Sequence, residues 1–214
     1  MAPTECNRGA AVFDVDRTLV RGYTERLFFQ RLLRRRLPLG RALGYLARVL
    51  LDPDRRFRDK GYLKGFPAAE VAAWGRECFE ADIRPRLSPS GLACLEEHRR
   101  EGRAIVLLTG TLALLAEPLR ELLQAPWLIA TRLKEEEGKL TGAVAGLLPR
   151  GENKARLLLE LAAAQGLDLS RSYAYGDEVH DVPVFGLVGR PVAVNPGRRL
   201  ERIARRQGWP VRFF

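Results

Sequence analysis

The sequence predicts an α/β fold: a Rossmann-like parallel sheet with helices on both faces, plus an inserted all-helical cap. Three observations lead there. Short apolar runs recur that stop abruptly at charged or small polar residues, and helical patterns lie between them. One long interval near the amino end has no strand-like run at all.

Taken in order, Ala10 to Val15 (AAVFDV) reads as the first strand, buried and opening into charge at its carboxyl end. Val20 to about Pro85 is rich in Leu, Ala and Arg and broken at Pro38, Pro53 and Pro67, which predicts several helices. A helix over Ser90 to Arg100 leads to a second strand, Ala104 to Leu108, ending at Thr109-Gly110-Thr111. Ala113 to Leu123 is helical and Trp127 to Ala130 is a third strand. Thr131 to Val144 breaks the alternation as two short strands around Glu137-Gly138, with a solvated acidic tip. A helix over Ala155 to Ala164 precedes a fourth strand, Ser172 to Tyr175, which ends in Gly176-Asp177. Pro191 to Val194, stopped by Asn195-Pro196, and a helix over Arg199 to Gln207 complete the pattern. Residues 1–19 and 86–214 form the predicted core and 20–85 the cap. Ligands of such sheets sit at the carboxyl ends of the strands.

Composition narrows the class. The 214 residues are 46% hydrophobic and 29% charged, the balance of a globular protein rather than a disordered or collagen-like one. A net charge of +10 favours anionic partners: phosphorylated metabolites, acidic lipid surfaces or nucleic acid. Cys6, Cys78 and Cys94 are odd in number and form no C-x-x-C, so neither a disulfide framework nor a zinc site is expected. Met1 to Ala10 lacks the charged-then-apolar run of a secretion signal, and a cytoplasmic protein is expected.

The chemistry concentrates at strand ends. Asp14 and Asp16 stand at i and i+2 on an extended segment, so both carboxylates point to one side. Anions that close repel unless a cation or a shared proton compensates. Thr109 ends the second strand, where its hydroxyl and the Gly110 amide can bind a phosphate oxygen. Lys154 can add a point charge to the same phosphate. Asp177 ends the fourth strand, and Asp181 shares its face if a helical turn starts there.

In this order the residues resemble the haloacid dehalogenase-like hydrolase superfamily. Its four motifs are matched by DVDRT at Asp14 to Thr18, LLTGT around Thr109, Lys154, and GDEVHD from Gly176 to Asp181. The insertion resembles the helical cap of the phosphoserine-phosphatase-like branch, subfamily IB. The resemblance implies a phosphatase that works through an aspartyl-phosphate, with Asp14 as nucleophile and Asp16 as general acid/base. It implies that Thr109 and Lys154 hold the phosphoryl group. It further implies Mg2+ bound by Asp14, the backbone carbonyl of Asp16, and Asp177, with Asp181 as a nearby metal or supporting carboxylate. All-oxygen ligation without His or Cys suits Mg2+.

Three positions depart from the pattern. Arg17 stands where Gly is usual, and either touches substrate or points to solvent. Tyr23 occupies the place of the Glu that reads the amino group of phosphoserine, with Glu25 two residues on, which points away from phosphoserine itself. The resemblance leaves open whether the phosphoryl passes to water or to an acceptor alcohol; a non-catalytic basic binding protein is a third alternative. The basic stretch Arg26 to Leu51 reads as cap helices that pack their apolar faces inward, a membrane-facing role with a lysophospholipid-type substrate being the alternative. Arg198 to Arg206 has no interleaved aromatics and reads as a solvated face rather than a nucleic-acid site. His180 is expected to face solvent, His98 to sit on an exposed helix, and Trp74, Gly75 and Phe79 to pack within the cap. The expected partner is a small phosphorylated metabolite.

Overall fold

The computed structural model describes residues 8–214, so Cys6 lies outside it, and Cys78 and Cys94 are free buried thiols. Seven strands form one sheet in the order β4-β3-β2-β1-β5-β6-β7. Strand β1 (Arg8–Phe13) pairs in parallel with β2 (Ala104–Leu112) on one side and β5 (Leu167–Gly176) on the other. Strand β3 (Trp127–Glu136) extends the parallel sheet, and β4 (Lys139–Ala145) pairs antiparallel with it. On the far side lie β6 (Arg190–Val194) and the two-residue β7 (Val211–Arg212).

Burial on both faces explains the uninterrupted apolar runs. On β1, Ala11 and Phe13 pack into one core layer while Ala10 and Val12 pack into the other. The first layer carries the helical insertion together with α5 (Pro89–Arg100) and α6 (Ala113–Leu122). The second carries α7 (Glu152–Gln165), the short α8 (Val182–Phe185) and α9 (Arg198–Gln207). Local chemistry sets the helix ends: Ser88 accepts from the Gly91 amide before Pro89 opens α5, and Gly166 closes α7 in a left-handed conformation.

Between β1 and β2 the chain is helical: α1 (Thr24–Arg35), α2 (Leu39–Leu51), α3 (Arg55–Arg58) and α4 (Ala68–Cys78), with short irregular turns. Trp74, Gly75 and Phe79 are buried as expected, but Gly75 packs against α6 of the core. A Cβ there would lie 2.7 Å from the Leu114 carbonyl oxygen. The insertion is also tied to the β3–β4 hairpin by isolated bridges at Asp59–Ala143 and Pro67–Lys139.

Several expectations are corrected. Strand β2 runs on through Thr109-Gly110-Thr111 to Leu112, because Leu112 still finds Thr131 of β3 as a partner. Strand β3 continues without a break into the hairpin, and β7 is a strand too short to carry a pattern. His98 is buried, its imidazole packed edge-on to Phe13 and tilted against Tyr173 and Tyr175. The apolar face of α2 does not turn inward. Ala42 and Tyr45 are buried there, while Leu39, Leu43, Leu46, Leu50 and Leu51 are exposed. No helix among the described residues is long and apolar enough to cross a membrane.

Candidate active site

Strands β1 and β5 are neighbours in space but distant in sequence, and the chain leaves them in opposite directions across the sheet. A crevice at their carboxyl ends follows from that reversal. Phe13 pairs with Tyr175, and the Asp14 amide donates to the Tyr175 carbonyl at 2.9 Å, so Asp14 and Gly176-Asp177 emerge side by side.

Lys154 sits in the first turn of α7, inside the helix rather than just before it, and its side chain is buried. Its Nζ donates to Asp14 Oδ1 at 2.7 Å and to Asp181 Oδ1 at 2.6 Å. The other oxygen of Asp181 accepts from the Glu178 amide at 3.1 Å, so both of its oxygens have partners. Gly176 is required here. A Cβ at that position would stand 2.4 Å from Asp181 Oδ2.

Asp16 is held differently. Its Oδ1 accepts from the Thr24 amide at 2.9 Å and its Oδ2 from the Thr111 hydroxyl at 3.0 Å, while the two threonine hydroxyls meet at 2.6 Å. One carboxylate thus joins the end of β1, the end of β2 and the first residue of the insertion. Thr109 is buried on β2, and its hydroxyl accepts from the Thr111 amide at 3.2 Å.

Arg17 neither reaches solvent freely nor lines the cavity. Its backbone is left-handed (φ 58°), fixed by the Asn195 amide, which donates to the Arg17 carbonyl at 2.8 Å. The guanidinium lies 3.2 Å from Asp177 Oδ2 and 3.4 Å from the Tyr23 hydroxyl. Glu25 forms an ion pair with the fully buried Lys60 at 2.5 Å.

Burial dominates the electrostatics. It pushes the Asp14 carboxyl above the usual carboxylate range, with the Lys154 ammonium opposing the rise. Asp16 is pushed up to about 6 by burial, against the hydrogen bonds from Thr24 and Thr111. Asp177 is pushed up to about 9 by burial, with the neighbouring charges of Asp14 and Asp181 adding to it. Burial opposes protonation of Lys154, but Asp14 and Asp181 together keep its proton on.

These groups share a cavity of about 450 Å3. Its floor holds Asp14, Asp16, Thr109, Gly110, Lys154, Asp177 and Asp181. Its roof is the insertion, with Tyr23, Glu25, Arg26, Phe29, Tyr45 and Phe57 facing in. His180 is exposed, as expected, and also lines the cavity: a tight turn over Val179–Asp181 brings its Nε2 to 2.5 Å from the Arg150 guanidinium, which donates. Arg150 in turn covers the Phe57 ring, with 3.7 Å to the centroid, and so links core and roof. Thr24, Thr111, Arg150 and Asn195 were not singled out from the sequence. Among them only Thr111, two residues beyond Thr109 on the same strand, carried a usable signal.

The donor set suits a hard divalent cation. Asp177 Oδ2 is buried and accepts no hydrogen bond, although Arg17 lies nearby. No group of three or more Asp, Glu, His or Cys side chains among the described residues gathers into a cluster that could hold a metal. Asp14 and Asp177 are oxygen donors of this cavity that such a cation could use, with water completing its shell.

The family model for haloacid dehalogenase-like hydrolases matches residues 11–186. The chain is 37% identical over 221 residues to the inhibition of morphological differentiation protein of Streptomyces azureus, covering 97% of this chain and 79% of that one. It is 32% identical over 217 residues to a phosphoserine phosphatase of Mycobacterium tuberculosis strain H37Rv, covering 96% and 70%. A crystal structure of a Bordetella pertussis Tohama I protein of unknown function superposes with a TM-score of 0.83 at 28% identity, covering 96% and 98%.

Proposed function

The chain belongs to the haloacid dehalogenase-like hydrolase family and is a phosphoric monoester hydrolase, and we propose that it hydrolyses a small organic phosphomonoester through an aspartyl-phosphate on Asp14. The observation that carries this reading is the meeting of Asp14, Thr109, Lys154 and Asp177, from four separate segments, around one cavity.

In the first half-reaction an Asp14 carboxylate oxygen attacks phosphorus. The bond from phosphorus to the substrate's ester oxygen breaks, and Asp16 gives that oxygen a proton. In the second half Asp16 takes a proton from water, whose oxygen attacks the same phosphorus. Orthophosphate leaves and the Asp14 carboxylate is restored. Thr109, the Gly110 amide and Lys154 hold the phosphoryl oxygens and offset the repulsion between carboxylate and phosphate. Asp14, Asp177 and the Asp16 carbonyl would hold Mg2+, which would supply further charge neutralisation when bound. Asp181 acts through Lys154, fixing its ammonium beside Asp14.

The helical insertion serves as a cap, residues 20–85 over a core of 1–19 and 86–214, and shields the acyl phosphate from bulk water. Aromatic and charged groups of the roof (Tyr23, Glu25, Phe29, Phe57) then contact the organic part of the substrate. Arg17 acts indirectly, beside Asp177.

The test is Mg2+-dependent phosphate release from an aryl phosphate, with chelator as control. Asp14→Asn is expected to abolish turnover and trapping of labelled phosphoprotein; a variant as active as wild type refutes the assignment.

A further inference from the structure

The positive charge of this chain is concentrated in one place. Residues 20–66 carry 13 Lys and Arg against four Asp and Glu, so this stretch alone accounts for +9 of the chain's net +10. The rest of the molecule is close to neutral.

The same stretch exposes its leucines. On α2, Leu39, Leu43, Leu46 and Leu50 recur at i, i+4, i+7 and i+11 and lie along one stripe. They are 67%, 57%, 39% and 83% exposed, and Leu51 at the helix end is 87% exposed. The side that packs inward is the one bearing Ala42 and Tyr45. On the preceding helix Leu33 is 40% exposed, and beside it Arg34 and Arg35 make no ion pair among the described residues. An apolar stripe in a strongly cationic setting is a surface built to be covered.

We propose that this face of the insertion, centred on α2, docks on a lipid bilayer rich in anionic headgroups. The leucines enter the boundary between headgroups and acyl chains, and the surrounding arginines meet lipid phosphates. Charge favours this occupant over a second copy of the chain. A two-fold contact would place this net-cationic segment against itself. Nucleic acid would use the arginines but offers nothing to the leucines. Leu46 and Tyr45 also line the active-site cavity, so the docked face adjoins its roof.

The experiment is co-sedimentation of the full chain with sucrose-loaded vesicles of phosphatidylcholine alone, or of phosphatidylcholine and phosphatidylglycerol in equal parts. Wild type is expected to partition at least about tenfold more strongly onto the anionic vesicles, and high salt should reduce this. The double substitution Leu43→Glu/Leu50→Glu should remove the binding while the melting temperature and the turnover of soluble aryl phosphate stay as in wild type. Arg34→Glu/Arg35→Glu should weaken it without touching the stripe. Asp14→Asn should bind like wild type, which keeps docking separable from catalysis. Equal partition onto both vesicles, or leucine variants that bind as wild type does, overturns the proposal. A dimer that dissociates in the leucine variant, without vesicle binding by wild type, assigns the face to a second copy instead.

Discussion

Two lysines are almost fully buried among the described residues, one in the core and one in the insertion above the same cavity. Lys154, at the sheet end, faces two carboxylates, Asp14 and Asp181. Lys60, in the insertion, faces one carboxylate, Glu25, and the carbonyl of Arg56. The difference is one of charge balance. Lys60 closes a one-to-one pair that holds the roof in shape. Lys154 is shared between two carboxylates, in a cavity that also holds Asp177 with a buried oxygen that accepts no hydrogen bond. Burial of a lysine does not by itself mark a reaction centre; the imbalance around it does.

Removing each lysine tests that distinction most strongly. Lys154→Met is expected to lower kcat/KM for any phosphomonoester by about 10^2 to 10^3, the size seen when one preorganised donor to a developing anion is lost. Lys60→Met is expected to cost about 1–3 kcal/mol of stability by leaving Glu25 unpaired, with aryl phosphate turnover changed far less. Steady-state kinetics and thermal melting on both variants decide the matter. Comparable losses of turnover would erase the contrast.

Asp16 belongs to both regions, since its oxygens accept from Thr24 of the insertion and from Thr111 of the sheet. With its carboxyl near 6, the protonated fraction falls as pH rises through that value, and so does its capacity to protonate a leaving oxygen. An alkyl phosphate, whose leaving group needs that proton, is therefore expected to lose kcat/KM above about pH 6. Asp16→Asn should remove this limb and lower alkyl phosphate turnover by about 10^2 or more, while kcat/KM for an aryl phosphate, which leaves unaided, drops much less. Equal losses on the two substrates would reduce Asp16 to a structural link between Thr24 and Thr111.

The two regions were also unequally legible in the sequence. Asp14, Thr109 and Asp177 could be placed because each follows an apolar run, and a parallel strand delivers its last residues to a known edge of the sheet. Lys154 was recognised through its motif, and the apolar pattern behind it put it at the start of a helix. The insertion offered no such geometry. The pattern over Arg26 to Leu51 reads as helices with an apolar face turned inward, but neither Ala42 and Tyr45 nor the leucine stripe announces which side another element covers. Arg150 and Asn195 meet the site from loops about 140 and 180 residues away from Asp14 and Arg17, and nothing local in their surroundings marks them. His98 was misjudged for the same reason: its helix face looks polar in sequence, yet three aromatic rings of β1 and β5 enclose it.

That enclosure gives the smallest expected effect and isolates the core from the insertion altogether. His98 Nε2 lies 2.7 Å from the Tyr175 hydroxyl and Arg103 donates to its Nδ1 at 3.1 Å, so the imidazole is held neutral. Burial, with Arg103 and Arg212 adding to it, lowers it from 6.5 to about 4. Above pH 6.5 the ring is neutral whether the chain is folded or not. Below that the unfolded chain takes the proton first, so stability falls between about 6.5 and 4, by up to about 3 kcal/mol. The site carboxylates act in the opposite sense. Asp16 and Asp177 are raised, so the unfolded chain loses their protons first and their contribution improves as pH falls. The net slope of wild type mixes the two, which is why the comparison needs His98→Gln. Gln can still reach Tyr175 but does not titrate, so the difference in melting temperature between wild type and variant should change steadily in favour of the variant from pH 6.5 down to 4. A difference independent of pH would mean that His98 takes up its proton in the folded core as easily as in water.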